Sequence, residues 1–218
     1  MNKIGVFGGT FNPVHKGHEI TAIEFYNKFN LDKLLIIPAN IPPHKKNDGD
    51  ISPQCRFEMC RICFDKYKNL QGNHGYYNIE VSDIEMKKDG VSYTFDTLTT
   101  LREVYPSDSN LIYFLVGSDM FLYLEYWHKY KELLKMCVFT VAFRNENGKD
   151  RDEVFRLRGK LMDQGYKIEL LDNSAFEISS TELREKIKDN EVGGLPDYLS
   201  PEVLNYIKER KIYVLQQK

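Results

Sequence analysis

A chain of 218 residues, 42% hydrophobic and 28% charged, has the composition of a folded globular protein and is long enough to bury a sizeable core, which excludes a disordered chain. Its formal net charge of −2 excludes a global positive field for recruiting nucleic acid, so a polyanionic ligand has to be held by local donors. No apolar run approaches the roughly 20 residues that a membrane span needs, and the first residues run straight into a strand pattern with no signal-peptide signature. The expectation is a cytoplasmic enzyme or binding protein without membrane or nucleic-acid partners.

The first stretch, Lys3 to His18, sets the theme. β-prone Ile4, Val6 and Phe7 end on Gly8-Gly9, and Asn12-Pro13 then leads to His15 and His18 at the head of an amphipathic segment. A strand, a tight loop and a helix start are expected. Such a junction favours an anion: glycine lets backbone approach a ligand, and the first amides of a helix lack internal partners and sit at the positive end of its dipole. His15 and His18, one turn apart, can face one bound group. Each alone reads equally well as a cap or surface residue.

Glu19 to Phe29 reads as a helix ended by Asn30, and the apolar run Leu34 to Ile37, stopped by Pro38, as a strand covered on both faces. Past that strand lies Pro42-Pro43-His44-Lys45, on the sheet edge where open parallel sheets bind ligands, so His44 and Lys45 are either phosphate contacts or solvated loop residues.

Ser52-Pro53 starts a helix expected to run to about Asn69. It carries Cys55, Cys60 and Cys63 in a C-x4-C-x2-C spacing that some iron–sulfur proteins use, with Cys137 as a distant fourth. A bulky helix turns Cys55 away from the other two, so free, partly buried thiols are the preferred reading. His74 sits in a polar turn. Tyr77 to Ser82 alternates as a strand, and Ser92-Tyr93-Thr94 opens a helix through Phe95, Leu98 and Leu101.

Leu111 to Val116 is a second buried-type strand, ending in Gly117-Ser118-Asp119; the carboxylate can take a sugar hydroxyl or cap a helix. The next helix is expected to carry Phe121 through Trp127, where Trp127 is either core or a stacking plane and His128 reads as structural. Met136 to Phe143 reads as a strand. Arg151 to Gln164 reads as a helix whose Arg156, Arg158 and Lys160 form a solvated face, and Tyr166 to Leu171 as a strand. Near the end, Ser179-x-x-Glu182 fits a capping box. The same segment also offers Ser180 and Thr181 as donors and Arg184 as a planar cation, which suits a second phosphate site. A helix from about Pro201 to Arg210 closes the chain.

Taken together, Gly8-Gly9-Thr10-Phe11-Asn12-Pro13-x-His15-x-Gly17-His18 and Ile178-Ser179-Ser180-Thr181-x-x-Arg184 resemble the HxGH-type nucleotidyltransferase superfamily. Pro42-Pro43-His44-Lys45, Ser92-Tyr93-Thr94-Phe95-Asp96-Thr97-Leu98 and Gly117-Ser118-Asp119 followed by Trp127 narrow this to a resemblance to bacterial nicotinate-nucleotide adenylyltransferases. The resemblance spans nearly the whole chain and departs at Asn12, where the family more often has Asp. It implies an α/β fold, a Rossmann-like doubly wound parallel sheet in a single domain over residues 1–218, with about 176–218 forming a small helical C-terminal lobe. It also implies adenylyl transfer from ATP to nicotinate mononucleotide.

Carried over residue by residue, His15, His18 and Arg184 would act at the phosphates. Gly8, Gly9, Thr10, Phe11, Asp119, Ser180 and Thr181 would bind ATP, and Lys45, Tyr93, Thr94 and Trp127 the mononucleotide. Mg2+ would be held mainly by the ATP phosphates, with no protein metal site. A homo-oligomer is compatible with the sequence. The alternatives are pantetheine-phosphate adenylyltransferase, a cytidylyltransferase on the same fold, or a nucleotide-sensing module without turnover. No G-x-x-x-x-G-K-[ST] loop is present, which argues against a P-loop enzyme.

Overall fold

The computed structural model describes residues 1–43, 51–73, 75–88, 90–143, 149–172, 179–189 and 194–213. Six parallel strands form its main sheet: β1 (Asn2–Gly9), β2 (Lys33–Pro38), β5 (Ile79–Val81), β6 (Asn110–Gly117), β7 (Val138–Ala142) and β8 (Ile168–Leu171). Their spatial order is β5-β2-β1-β6-β7-β8, the doubly wound order in which the chain reverses direction between β1 and β6. A two-residue hairpin, β3 (Gln71–Gly72) with β4 (Gly75–Tyr76), stands apart.

Parallel strands buried on both faces need apolar residues at successive positions, and β2 shows why. Leu34 and Ile36 pack into one core while Leu35 and Ile37 pack into the other. The first core lies under α1 (Lys16–Phe29), α2 (Pro53–Phe64), α7 (Ser180–Lys188), α8 (Leu195–Tyr198) and α9 (Pro201–Glu209). The second lies under α3 (Thr94–Val104), α4 (Ser118–Leu122), α5 (Tyr130–Met136) and α6 (Lys149–Asp163). The C-terminal helices share the first core rather than building their own: Leu183, Leu195, Leu199, Val203 and Ile207 are all buried in it. Gly5 of β1 is a place where backbone and helix meet, since a Cβ there would lie 2.4 Å from the Leu31 side chain.

The sequence pattern placed most elements within a few residues. Asn30 ends α1 in a left-handed conformation, with φ of 50°. Three expectations need correction. The helix from Pro53 stops at Phe64 and continues as a 3-10 turn, Asp65–Asn69. The helix expected to carry Trp127 breaks after Leu122 into a 3-10 turn, Leu124–Tyr126, so Trp127 sits in extended backbone, and a separate α5 follows. The face of α6 is solvated at Arg156 and Lys160 but has partners: Arg158 donates to the Ile168 carbonyl at 3.1 Å and Lys160 pairs with Glu125 at 2.8 Å.

The two edges of the sheet are built differently. At the edge where the strands begin, Arg102 of α3 donates to the carbonyls of Met136, Tyr105 and Asn110, the last two at 3.1 and 3.0 Å. At the edge where they end, loops and helix starts leave a cleft.

Candidate active site

The cleft has a volume of about 720 Å3 and opens over the ends of β1 and β6, the point where strand order reverses. Gly8, Gly9, Thr10 and Phe11 line it from the end of β1, and His15 and His18 from the start of α1. Ser179, Ser180 and Thr181 close it from the start of α7. The two motifs that lie farthest apart in sequence therefore share one wall. Tyr93 and Thr94 at the start of α3, with Asp119 and Trp127, form the other.

The first wall is held by hydrogen bonds to its own backbone. Ser180 donates to the Pro13 carbonyl at 2.9 Å, Arg184 to the Asn12 carbonyl at 2.8 Å, and the buried Tyr213 hydroxyl to the Asn12 side chain at 2.6 Å. The family departure at Asn12 is thus a buried acceptor for Tyr213. Gly9 is constrained from above, because a Cβ would lie 3.1 Å from the Phe11 ring.

The two histidines form a close pair with ring centroids 3.7 Å apart and planes tilted by 38°. The His15 amide donates to His18 Nδ1 at 3.3 Å. With Nδ1 used as an acceptor, the neutral His18 ring carries its proton on Nε2, leaving that atom as a donor. The Phe11 ring, 2% exposed, stands edge-on to His18 at 5.0 Å and to Phe7 at 5.4 Å, which fixes the imidazole in place.

In the second wall, Tyr93 caps α3 with extended backbone. The first intrahelical bonds return from Asp96 and Thr97 to the Tyr93 carbonyl, so the amides of Thr94 and Phe95 precede them and face outward as donors. Trp127 is both core and site: it packs edge-on against Phe114 and against Phe139, with centroids 6.3 and 6.2 Å away, while lining the cleft.

All the site residues expected from sequence line this cleft except two. Arg184 grips Asn12 and the Thr181 hydroxyl beside it, and Lys45 lies outside the described residues, as do His44, His74 and Ile178. Two residues were missed. His128, read as structural, lines the cleft with its ring 4.9 Å from that of Tyr93. Glu85 also lines it and accepts from the Thr97 hydroxyl at 2.7 Å. Its signal was available, since it follows the end of β5 on the ligand-binding edge.

Burial pushes the Glu85 carboxyl above its usual value of 4.5, against the pull of the hydrogen bond from Thr97. The folded protein then holds this proton more tightly than the unfolded chain, so stability on this account is fully present below pH 4.5 and declines as pH rises through the folded value. Glu85→Gln keeps an acceptor for Thr97 and is expected to raise the melting temperature near neutral pH, with the gain vanishing below 4.5. Thermal melts across pH check this; a gain that persists in acid would contradict it.

The cysteines are free, with Cys60, Cys63 and Cys137 buried and their thiols pushed up by burial, so none of these three is poised as a nucleophile. Among the described residues no group of three or more His, Cys, Asp or Glu is placed to hold a metal.

Residues 6–186 match the cytidylyltransferase-like family. The nicotinate-nucleotide adenylyltransferase of Bacillus subtilis is 35% identical over 214 residues, covering 98% of this chain and 99% of the relative. The chain belongs to the nicotinate-nucleotide adenylyltransferase family. A probable enzyme of the same name from Fusobacterium nucleatum is 38% identical over 194 residues, or 88% of this chain and 92% of that one. The fold agrees: the Plasmodium falciparum nicotinic acid mononucleotide adenylyltransferase complexed with NaAD superimposes with a TM-score of 0.76 at 21% identity, covering 98% of both chains.

Proposed function

We propose that this chain transfers the adenylyl group of ATP to nicotinate mononucleotide, giving deamido-NAD and pyrophosphate, a step of NAD biosynthesis. The observation that carries the reading is the joining of the Gly8–His18 and Ser179–Thr181 segments in one wall of a cleft whose opposite wall offers a helix start and Trp127.

The acceptor's phosphate is already an anionic nucleophile. One of its oxygens forms a bond to the α-phosphorus of ATP as the bond from that phosphorus to the pyrophosphate oxygen breaks, and no proton has to be removed first. Catalysis then rests on alignment and on donors aimed at the charge that grows on the α-phosphoryl oxygens. His18 supplies such a donor through Nε2, and His15 lies against it. The start of α7 and Arg184 take the β- and γ-phosphates, and Gly8 to Phe11 bring backbone close to the nucleotide. Asp119 takes the ribose hydroxyls. The Tyr93-Thr94 segment receives the nicotinate carboxylate, and Trp127 stacks on the pyridine ring.

The cleft's donor set suits a Mg2+ ion that arrives on ATP, since Glu85 and Asp119 are its only carboxylates among the described residues and neither belongs to a cage. Such an ion neutralises phosphate charge when bound. The cytoplasm, where ATP is made, is the compartment we assign; among the described residues no helix is long and apolar enough to cross a membrane.

Pyrophosphate release from ATP, measured in parallel with nicotinate mononucleotide, nicotinamide mononucleotide and phosphopantetheine, tests the reading. Turnover is expected to be fastest with nicotinate mononucleotide; preference for phosphopantetheine would assign the related reaction, and no turnover with any would leave a sensor. Trp127→Ala is expected to weaken nicotinate mononucleotide by about 1–3 kcal/mol with little change in ATP affinity. Calorimetric titration of both ligands checks this, and equal losses for both would return Trp127 to a purely core role.

A further inference from the structure

Arg56 of α2 is 4% exposed, and among the described residues it makes no ion pair. Its two terminal nitrogens donate instead to two backbone carbonyls on different loops: Nη1 to Thr10 at 2.8 Å and Nη2 to Asn40 at 2.9 Å. Thr10 belongs to the loop after β1, in the ATP wall. Asn40 belongs to the loop after β2, and that loop leads into the other wall. The Asn40 amide donates to the Ser92 hydroxyl at 3.0 Å, Ser92 donates its own amide to Ile41 at 2.8 Å, and Ile41 bridges to Val91. Ser92 is followed directly by Tyr93 and Thr94. One guanidinium thus begins a continuous chain of bonds from one wall of the cleft to the other.

Stability alone does not account for this cation. A buried charge held only by carbonyls is costly to desolvate, and a well-packed apolar residue of similar volume serves a core as well or better. Burial indeed pulls the guanidinium below its ordinary value of 12.5, offset by the fields of Cys60, Tyr213 and Glu85. A planar fork carries its two donors on separate atoms and so spans two carbonyls on different loops, whereas lysine's three donors radiate from one atom and would have to draw both carbonyls to a single point.

We propose that Arg56 is a positioning residue that couples the two substrate subsites, so that a nucleotide settling against the Thr10 loop pre-forms the Tyr93-Thr94 segment for the second substrate, and the reverse. The inference rests on the two-substrate reading above. Coupling of this kind is reciprocal, each ligand tightening the other by the same factor, and typical factors are roughly 5–150-fold.

The test compares full-length wild type, Arg56→Lys and Arg102→Lys. Arg102 is the internal control, a second arginine on backbone carbonyls, but at the opposite edge of the sheet. The affinity for nicotinate mononucleotide is measured by calorimetry with and without α,β-methylene-ATP. Wild type is expected to bind several-fold tighter with the analogue. Arg56→Lys should lose most of that factor while each ligand alone binds within about threefold of wild type, and should raise both KM values. Arg102→Lys should lower the melting temperature and keep the coupling. If Arg56→Lys does not fold, Ser92→Ala removes the Asn40–Ser92 hydroxyl link of the same chain while the backbone bond from Ser92 to Ile41 stays, and is expected to lower the coupling factor. Coupling absent from wild type, retained in the Arg56 or Ser92 variant, or lost equally with Arg102→Lys overturns the proposal. Wild-type turnover of ATP with nicotinate mononucleotide, run on the same preparation, separates this from failure of the two-substrate reading itself.

Discussion

His18→Ala is expected to lower kcat by roughly 100–1,000-fold while weakening ATP binding far less, as removal of one preorganised donor to a developing oxyanion does elsewhere. The asymmetry follows from geometry. The His15 amide holds His18 Nδ1, and Phe11 stands against the ring, so the orientation of Nε2 is set before substrate arrives. An interaction that is already in place and strengthens as charge grows lowers the barrier more than it lowers KM. On the proposed reading, ground-state binding of ATP is shared with the backbone of the Gly8–Phe11 loop, the start of α7 and Arg184. Single-turnover rates and ATP dissociation constants for the variant are the measurements needed. An unchanged kcat, or an effect confined to ATP affinity, would remove His18 from the chemistry.

Phe11→Ala is expected to destabilise the fold by about 3–5 kcal/mol, the range for emptying a fully buried aromatic site. Phe11 is 2% exposed and adopts a left-handed φ of 48°, which is strained for a bulky residue. Its neighbours hold it there: Arg56 bonds the carbonyl before it, at Thr10, and Arg184 the one after it, at Asn12. The ring fills the space between Phe7 and His18 and limits Gly9. The cavity left by alanine removes that wall, so kcat should fall along with stability even at temperatures where the variant is folded. Denaturant unfolding and kcat on one preparation test both halves. A loss below about 1 kcal/mol would mean that the loop is held by its hydrogen bonds alone.

What the sequence displayed depended on whether the signal was carried by residue type. Leu34 to Ile37 and Leu111 to Val116 are continuous apolar runs because both sheet faces are covered, so they were legible. Ser179 and Glu182 spell out a capping box, and it forms, with the Ser179 amide donating to Glu182 at 2.7 Å. The segment around Trp127 was misread because its break is conformational: Tyr123 leaves the helical region and Trp127 is extended, with no glycine or proline between Ser118 and Lys129 to announce it. Arg56 was invisible for a different reason. Its partners are main-chain carbonyls, which leave no mark in sequence, and within α2 it looks like any other helix arginine. Glu85 was overlooked because its partner Thr97 lies twelve residues away. The resemblance supplied the pairing of the Gly8–His18 and Ser179–Arg184 motifs, and the fold gives its cause, since β1 and α7 meet at the reversal of strand order.

The central claim is direct transfer: the mononucleotide phosphate attacks the α-phosphorus in line while the cleft aligns and stabilises, with no adenylylated side chain between. The stereochemical course at that phosphorus tests it most directly, using ATP made chiral there by sulfur substitution and reading the configuration of the deamido-NAD product. One in-line displacement predicts inversion. Retention would require two displacements and a protein nucleophile, and would contradict the account.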